Sequence, residues 1–157
     1  MGLSVLAGCD GRLADGVYQA AHDRYRLHAP PAPWVPTSLH SDELVFRHPD
    51  LHAAIALLAQ CKGPEPGELP WVARHLFFGL RDRQVESRET VSLGGEPAVR
   101  TRLRARLDGA PVAVEAVTVR ATDCLYDFVY VAPPAAAAAG RPDFEAFLHS
   151  WTPRAVP

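Results

Sequence analysis

Four arginines at alternate positions, Arg100, Arg102, Arg104 and Arg106, are the densest run of chemically competent side chains in the sequence. On a strand, residues two apart share a face, so the guanidinium groups project together while Val99, Thr101, Leu103, Ala105 and Leu107 point toward a core. Guanidinium forks match carboxylates and phosphates, which makes the row a candidate docking face for an acidic partner or an anionic head group. The competing account is a solvated strand face, with carboxylates across the ladder offsetting the repulsion at about 0.2–1 kcal/mol per pair. His48 and His52 have a spacing that binds metal on a helix, but Pro49 between them makes them loop residues. Asp123, Asp127 and Asp143 offer carboxylates without the pairing that acid–base work needs. No G-x-S-x-G, H-E-x-x-H or P-loop motif occurs. The sequence therefore nominates no catalytic residue, no metal site and no cofactor, and an enzyme is not expected.

Positioning these side chains takes a core, and 157 residues with 48% hydrophobic content are enough for one domain to bury its own. The net charge of −2 gives no global attraction to nucleic acid, which is not expected as a partner. Lys62 is the only lysine among sixteen basic residues, a bias that fits a G+C-rich bacterial genome as well as it fits selected anion recognition. No apolar run approaches the roughly eighteen residues of a membrane-spanning helix.

Along the chain, residues 25–41 hold Pro30, Pro31, Pro33 and Pro36 around Trp34, which excludes a helix interior and leaves a short strand followed by an extended loop. Residues 44–48 and the apolar run 53–59 read as strands, the second because Pro49 precedes it and Gly63, Pro64, Pro66 and Gly67 follow. Between Pro70 and Leu80, Val72, Leu76 and Leu80 have helical spacing behind a first-turn proline. Residues 84–93, 98–107, 111–120 and 125–131 alternate as strands. Asp108-Gly109 is a two-residue hairpin signal that brings Glu115 near Arg102 and leaves part of the arginine row unpaired. Phe144, Phe147, Leu148 and Trp151 repeat at three and four, predicting a closing helix over 142–151. Trp71 and Trp151 are expected to pack helices and Trp34 to cover a sheet edge; aromatic walls of a ligand pocket are the alternative. The sum is an α+β domain, an α/β/α sandwich with a central antiparallel sheet.

The ordered set Tyr25-Arg26-Leu27 with Pro33-Trp34, the helix through Leu76, the turn Gly94-Gly95-Glu96-Pro97-Ala98, the strand Tyr126-Asp127-Phe128-Val129-Tyr130, and Pro142-Asp143-Phe144-Glu145-Ala146-Phe147 resembles the PsbP-like (PsbP/Mog) fold. That fold is shared by photosystem extrinsic proteins, Ran-binding proteins and bacterial envelope lipoproteins. The likeness is in particular to uncharacterised lipoproteins of deltaproteobacterial type, which implies a fold and an address but no chemistry. Neither the photosystem role nor Ran binding carries over, since the first needs a photosynthetic setting and surface residues not matched here and the second belongs to eukaryotes.

Leu6-Ala7-Gly8-Cys9 is similar to the lipobox of bacterial lipoproteins. That resemblance implies cleavage before Cys9 and acylation of its sulfur, hence attachment to a membrane without a spanning helix; the alternative is an ordinary N-terminal coil. Eight residues precede Cys9, fewer than a secretory signal needs, so the lipobox reading expects further residues upstream. Residues 1–24 are then lipobox and flexible tether, 25–152 one PsbP-like domain and 153–157 a tail. In an exported chain Cys61 and Cys124 are free to pair, the alternative being two buried thiols. The expected function is a non-catalytic binding or assembly module, lipid-anchored in the cell envelope and facing the periplasm or exterior, with an envelope protein as partner. A small-ligand or lipid carrier is the alternative and a hydrolase a distant third; oligomeric state is not legible.

Overall fold

Short polar and apolar alternations open the folded part of the chain and build a small sheet from β1 (Arg12–Ala14), β2 (Val17–Gln19), β3 (Tyr25–His28) and, from the far end, β11 (Thr152–Pro153). The computed structural model describes residues 10–64 and 66–154; Cys9 and the rest of the lipobox lie outside them. The stretch 10–24, expected as a tether, is folded. Tyr18 is fully buried, its hydroxyl donates to the Asp10 carbonyl, and Leu13 packs against the core. Tyr18, the pairing of β2 with β3 and the Ser41 hydroxyl, which donates to the Asp10 carbonyl at 2.7 Å, order a hairpin whose composition is that of a linker. The tail likewise begins later than 153, because Pro153 lies in β11 and the Arg154 N–H donates to the Arg24 carbonyl at 2.8 Å.

The main sheet is two meanders joined at the centre. β4 (Val35–His40), β5 (Glu43–His48) and β6 (Ala53–Gln60) form one; β7 (Arg81–Leu93), β8 (Glu96–Leu107), β9 (Ala110–Ala121) and β10 (Cys124–Ala132) form the other. β10 returns to pair with β6, giving the all-antiparallel order β4-β5-β6-β10-β9-β8-β7. β4 falls where an extended loop is expected. It is an edge strand with a bulge between Pro36 and Ser38, the setting in which a proline without an N–H is tolerated.

Helix α1 (Leu69–His75) crosses one face, here the back, and packs over β8 and β9. It stops short of the expected Leu80, because Phe77, Phe78 and Leu80 donate back three residues, to Arg74, His75 and Phe77, tightening the chain into turns. Helix α2 (Ala137–Ser150) covers the front face together with the small sheet. It begins five residues before the expected Pro142, because the alanine run is a strong helix former; Pro142 sits inside it. The α/β/α order is therefore α1, main sheet, α2, with the small sheet beside α2. The front core holds Phe46, Ile55, Leu57, Tyr126, Phe128, Phe144, Phe147 and Trp151, all buried. Among the described residues no helix is long and apolar enough to cross a membrane.

Two contacts clamp this arrangement. Cys61 and Cys124 form a disulfide across the end of the β6–β10 ladder. At the other side α2 approaches β10 so closely that a Cβ on Gly140 would stand 2.5 Å from the Tyr130 hydroxyl, which itself donates to the Ala137 carbonyl at 2.8 Å.

Gly140→Ala is therefore expected to destabilise the fold by about 1–3 kcal/mol in spite of alanine's better helix propensity, with partial recovery when Tyr130→Phe removes the obstructing oxygen. Urea unfolding of the two single variants and the double variant measures both effects. The double variant Cys61→Ala/Cys124→Ala releases a 63-residue separation and is expected to lose about 2–4 kcal/mol in the same assay.

Candidate functional site

The Asp108-Gly109 turn, with both residues at positive φ (50° and 81°), closes the β8–β9 hairpin and sets its register: Arg102 lies opposite Glu115 and Arg100 opposite Val117. All four arginines of the row face the front, and each meets a carboxylate. Arg100, with a side chain only 12% exposed, pairs with Glu115 and with Glu145 of α2. Arg102 stands 3.2 Å from Glu115, Arg104 donates to Glu86 at 2.7 Å, and Arg106 lies 3.7 Å from Asp82. Arg141 of α2 adds a third guanidinium to Glu115 at 3.3 Å. The expectation of a partly unpaired row is thus corrected. The missed partners are Glu86 and Asp82 on β7, whose register with β8 shifts at two bulges, and Glu145 and Arg141, which reach the row only once α2 docks.

Glu115 is the centre of this network. It is 3% exposed; burial alone would raise its affinity for a proton, but the Arg100 hydrogen bonds and the charges of Arg100 and Arg102 outweigh that and hold it below the ordinary value of 4.5. The cluster is a structural joint between β8, β9 and α2.

The other candidates are dispersed. His48 accepts hydrogen bonds at Nδ1 from the backbone N–H groups of Asp50 and Leu51 and stacks edge-on against Trp34, while His52 sits in the following turn at positive φ. Among the described residues no group of three or more potential ligands could hold a metal ion. Asp127 accepts the Thr118 hydroxyl at 2.6 Å, and Asp143 accepts the Trp34 indole N–H at 2.9 Å; Asp123 is in the β9–β10 turn. Trp34 is buried with that partner, and Trp151 packs in the core as expected, but Trp71 is 52% exposed.

Trp71 belongs to a feature that the sequence did not reveal. Trp71 and His75 of α1 and Phe78 in the turns after it form an outward ladder, with ring centroids 4.1 and 4.9 Å apart. Beside it a cleft of about 350 Å³ is lined by Arg74, Phe77, Phe78, Arg83, Val85, Arg88 and Leu103. β7 sorts its charges by face: Asp82 and Glu86 turn to the arginine row in front, while Arg83 and Arg88 turn to the cleft behind. Both the exposure of Trp71 and the convergence of Arg74 with Arg83 and Arg88 depend on tertiary placement.

No family model matches the sequence, and no curated protein matches it significantly. Solved structures do match in fold. The chain is similar to the cyanobacterial PsbP of Synechocystis sp. PCC 6803 (TM-score 0.66, 14% identity, 95% of this chain and 99% of that one). It is also similar to a protein of unknown function from Pseudomonas aeruginosa (0.63, 17%, 83% and 92%). A third likeness is to LpqN, involved in cell envelope biogenesis of Mycobacterium tuberculosis (0.57, 14%, 82% and 82%). At these identities the likeness establishes a PsbP-like α+β fold.

Glu115 binds protons more weakly folded than unfolded, so its ionised form stabilises the fold above the ordinary carboxylate range, and that contribution is lost as pH falls from about 4.5 through the lower folded value. Glu115→Gln is expected to lose about 3 kcal/mol at pH 7, because Arg100, a buried charge, then loses one of its two carboxylates and keeps Glu145. The gap from the parent should shrink at pH 3.5 in urea unfolding. An equal gap at both pH values would show that the charge is not what Glu115 contributes.

Proposed function

We propose that the chain is a non-catalytic binding module of the bacterial cell envelope, held to a membrane through a lipid on Cys9. The observation that carries this reading is the Cys61–Cys124 disulfide, because such bonds persist in exported proteins and are rare in the reducing cytosol. A sequence similar to a lipobox supplies the means of attachment. The fold shared with LpqN, a protein of envelope biogenesis, supports the same address. For a binding rather than a catalytic role, the support lies in how the titratable groups are used. Asp127, Asp143 and His48 are each occupied by a structural hydrogen bond, and Glu115 by guanidinium groups.

The arginine row is spent on partners within the chain, so a docking role passes to the opposite face of the sheet. The carrier alternative rests on the cleft between α1 and β7, which is lined by Phe77, Phe78, Val85 and Leu103.

Expression from the native locus with the upstream sequence retained, beside a Cys9→Ser variant, tests the address. Intact mass should show a Cys9-dependent acyl increment, and the protein should pellet with membranes only when Cys9 is present. A soluble, unmodified parent would overturn the anchor.

A further inference from the structure

Most exposed large apolar side chains of the described residues collect on the back of the sheet. Trp71 is 52% exposed, Phe78 71% and Val85 51%, around the cleft that Arg74, Arg83 and Arg88 also line. These arginines differ from those of the front row. Each front arginine has a carboxylate, whereas among the described residues none of the three at the back has one within ion-pair distance. Among the described residues Arg83 donates to the Phe77 carbonyl, at 3.3 Å. Burial and the nearby Arg74 charge lower the proton affinity of Arg88, so like charges are held together with no carboxylate of the described residues between them. Such an arrangement calls for an anion from outside the chain.

The shape says which kind. Trp71 and Phe78 project outward rather than enclosing a volume, and aromatic rings beside guanidinium groups suit the boundary between lipid head groups and acyl chains, where the rings meet apolar matter and the cations meet phosphate. We propose that this back face, with Trp71 and Phe78 as apolar anchors and Arg74, Arg83 and Arg88 as phosphate contacts, docks the folded domain onto an anionic phospholipid surface. The proposal goes beyond the Cys9 anchor and does not need it. With a lipid on Cys9 the face orients the domain on the membrane; without one it is a reversible attachment.

The test uses the full chain carrying Cys9→Ser and vesicles of phosphatidylglycerol or of phosphatidylcholine. Co-sedimentation should be strong on the first and at least about 100-fold weaker on the second, on the scale of about fivefold per arginine near an anionic surface. It should also fall as salt is raised. Tryptophan emission should shift to the blue on binding, and the reporter is Trp71, because Trp34 and Trp151 are 5% and 3% exposed. Trp71→Phe should remove the shift and keep most of the sedimentation. The variant Arg74→Ser/Arg83→Ser/Arg88→Ser, checked for folding by circular dichroism, should lose about 100-fold; Phe78→Ser, on a freely exposed site, serves if the triple variant does not fold. Equal binding to both lipids, no binding to either, unchanged binding by the folded variants, or capture of an acidic peptide without vesicle binding would overturn the proposal. None of these outcomes bears on acylation of Cys9, which the fractionation measures separately.

Discussion

Pairing between β6 and β10, from Leu125 opposite Gln60 to Val131 opposite Ala54, turns two local meanders into one sheet, and the sidedness of the molecule follows from it. Because β10 must return to the centre, the second meander has to start at the far edge, so the connection after β6 is forced across a face. α1 is that crossing, which is why it lies behind β8 and β9. The front of the seam is then left for α2. There β10 presents Tyr126, Phe128 and Tyr130, and they meet Trp151, Phe147 and Phe144 at centroid separations of 5.1 to 6.1 Å. Such aromatic pairs contribute about 0.5–1.5 kcal/mol each beyond the area they bury. The disulfide closes the same seam at its end, so covalent and apolar contributions act on one ladder.

Charge is distributed according to the same sidedness. In front, Glu115 is buried among Arg100, Arg102 and Arg141, an arrangement that ties α2 to the hairpin it covers. Pairs farther along the row are exposed, and such pairs contribute roughly 0–1 kcal/mol; their effect is to neutralise the row rather than to stabilise it. Behind, β7 and α1 bring guanidinium groups together with no such pairing among the described residues. A net charge of −2 for the whole chain therefore conceals one balanced face and one basic one. Both edge strands carry bulges and β7 is heavily charged, which discourages edge-to-edge pairing with another sheet.

Much of this was legible because it depends on local rules. Alternation located β7 to β10, the flanking Pro49 and the Gly63 to Gly67 breakers marked the apolar run of β6 as a strand, and the Asp108-Gly109 turn fixed the register that places Glu115 beside Arg102. The aromatic spacing of Phe144, Phe147, Leu148 and Trp151 located the body of α2. What was missed depends on tertiary contacts that outweigh local signals. Tyr18 draws a polar, glycine-containing stretch into a sheet. Pro36 sits in a strand because the strand is an edge. The alanine run extends α2 past a proline that ordinarily marks a helix start, and Trp71, expected to pack the helix, faces outward.

Regularity explains why the arginine row looked like the site and is not free to act as one. Side chains that repeat every second residue along β8 are met by neighbouring strands with the same period, so β7 and β9 can answer them with carboxylates; α2 adds one more from above. Arg74 lies on a different element from Arg83 and Arg88, and strand periodicity by itself places no acid opposite a helix residue; Glu115 reaches Arg141 only because α2 docks directly over it. Among the described residues, Arg74 of α1 and Arg83 and Arg88 on the back of β7 have no carboxylate in ion-pair range, whereas the four arginines on the front of β8 each have one. Subtracting the pairs that the fold makes for itself is what separates charges that hold the structure together from charges left for something outside it.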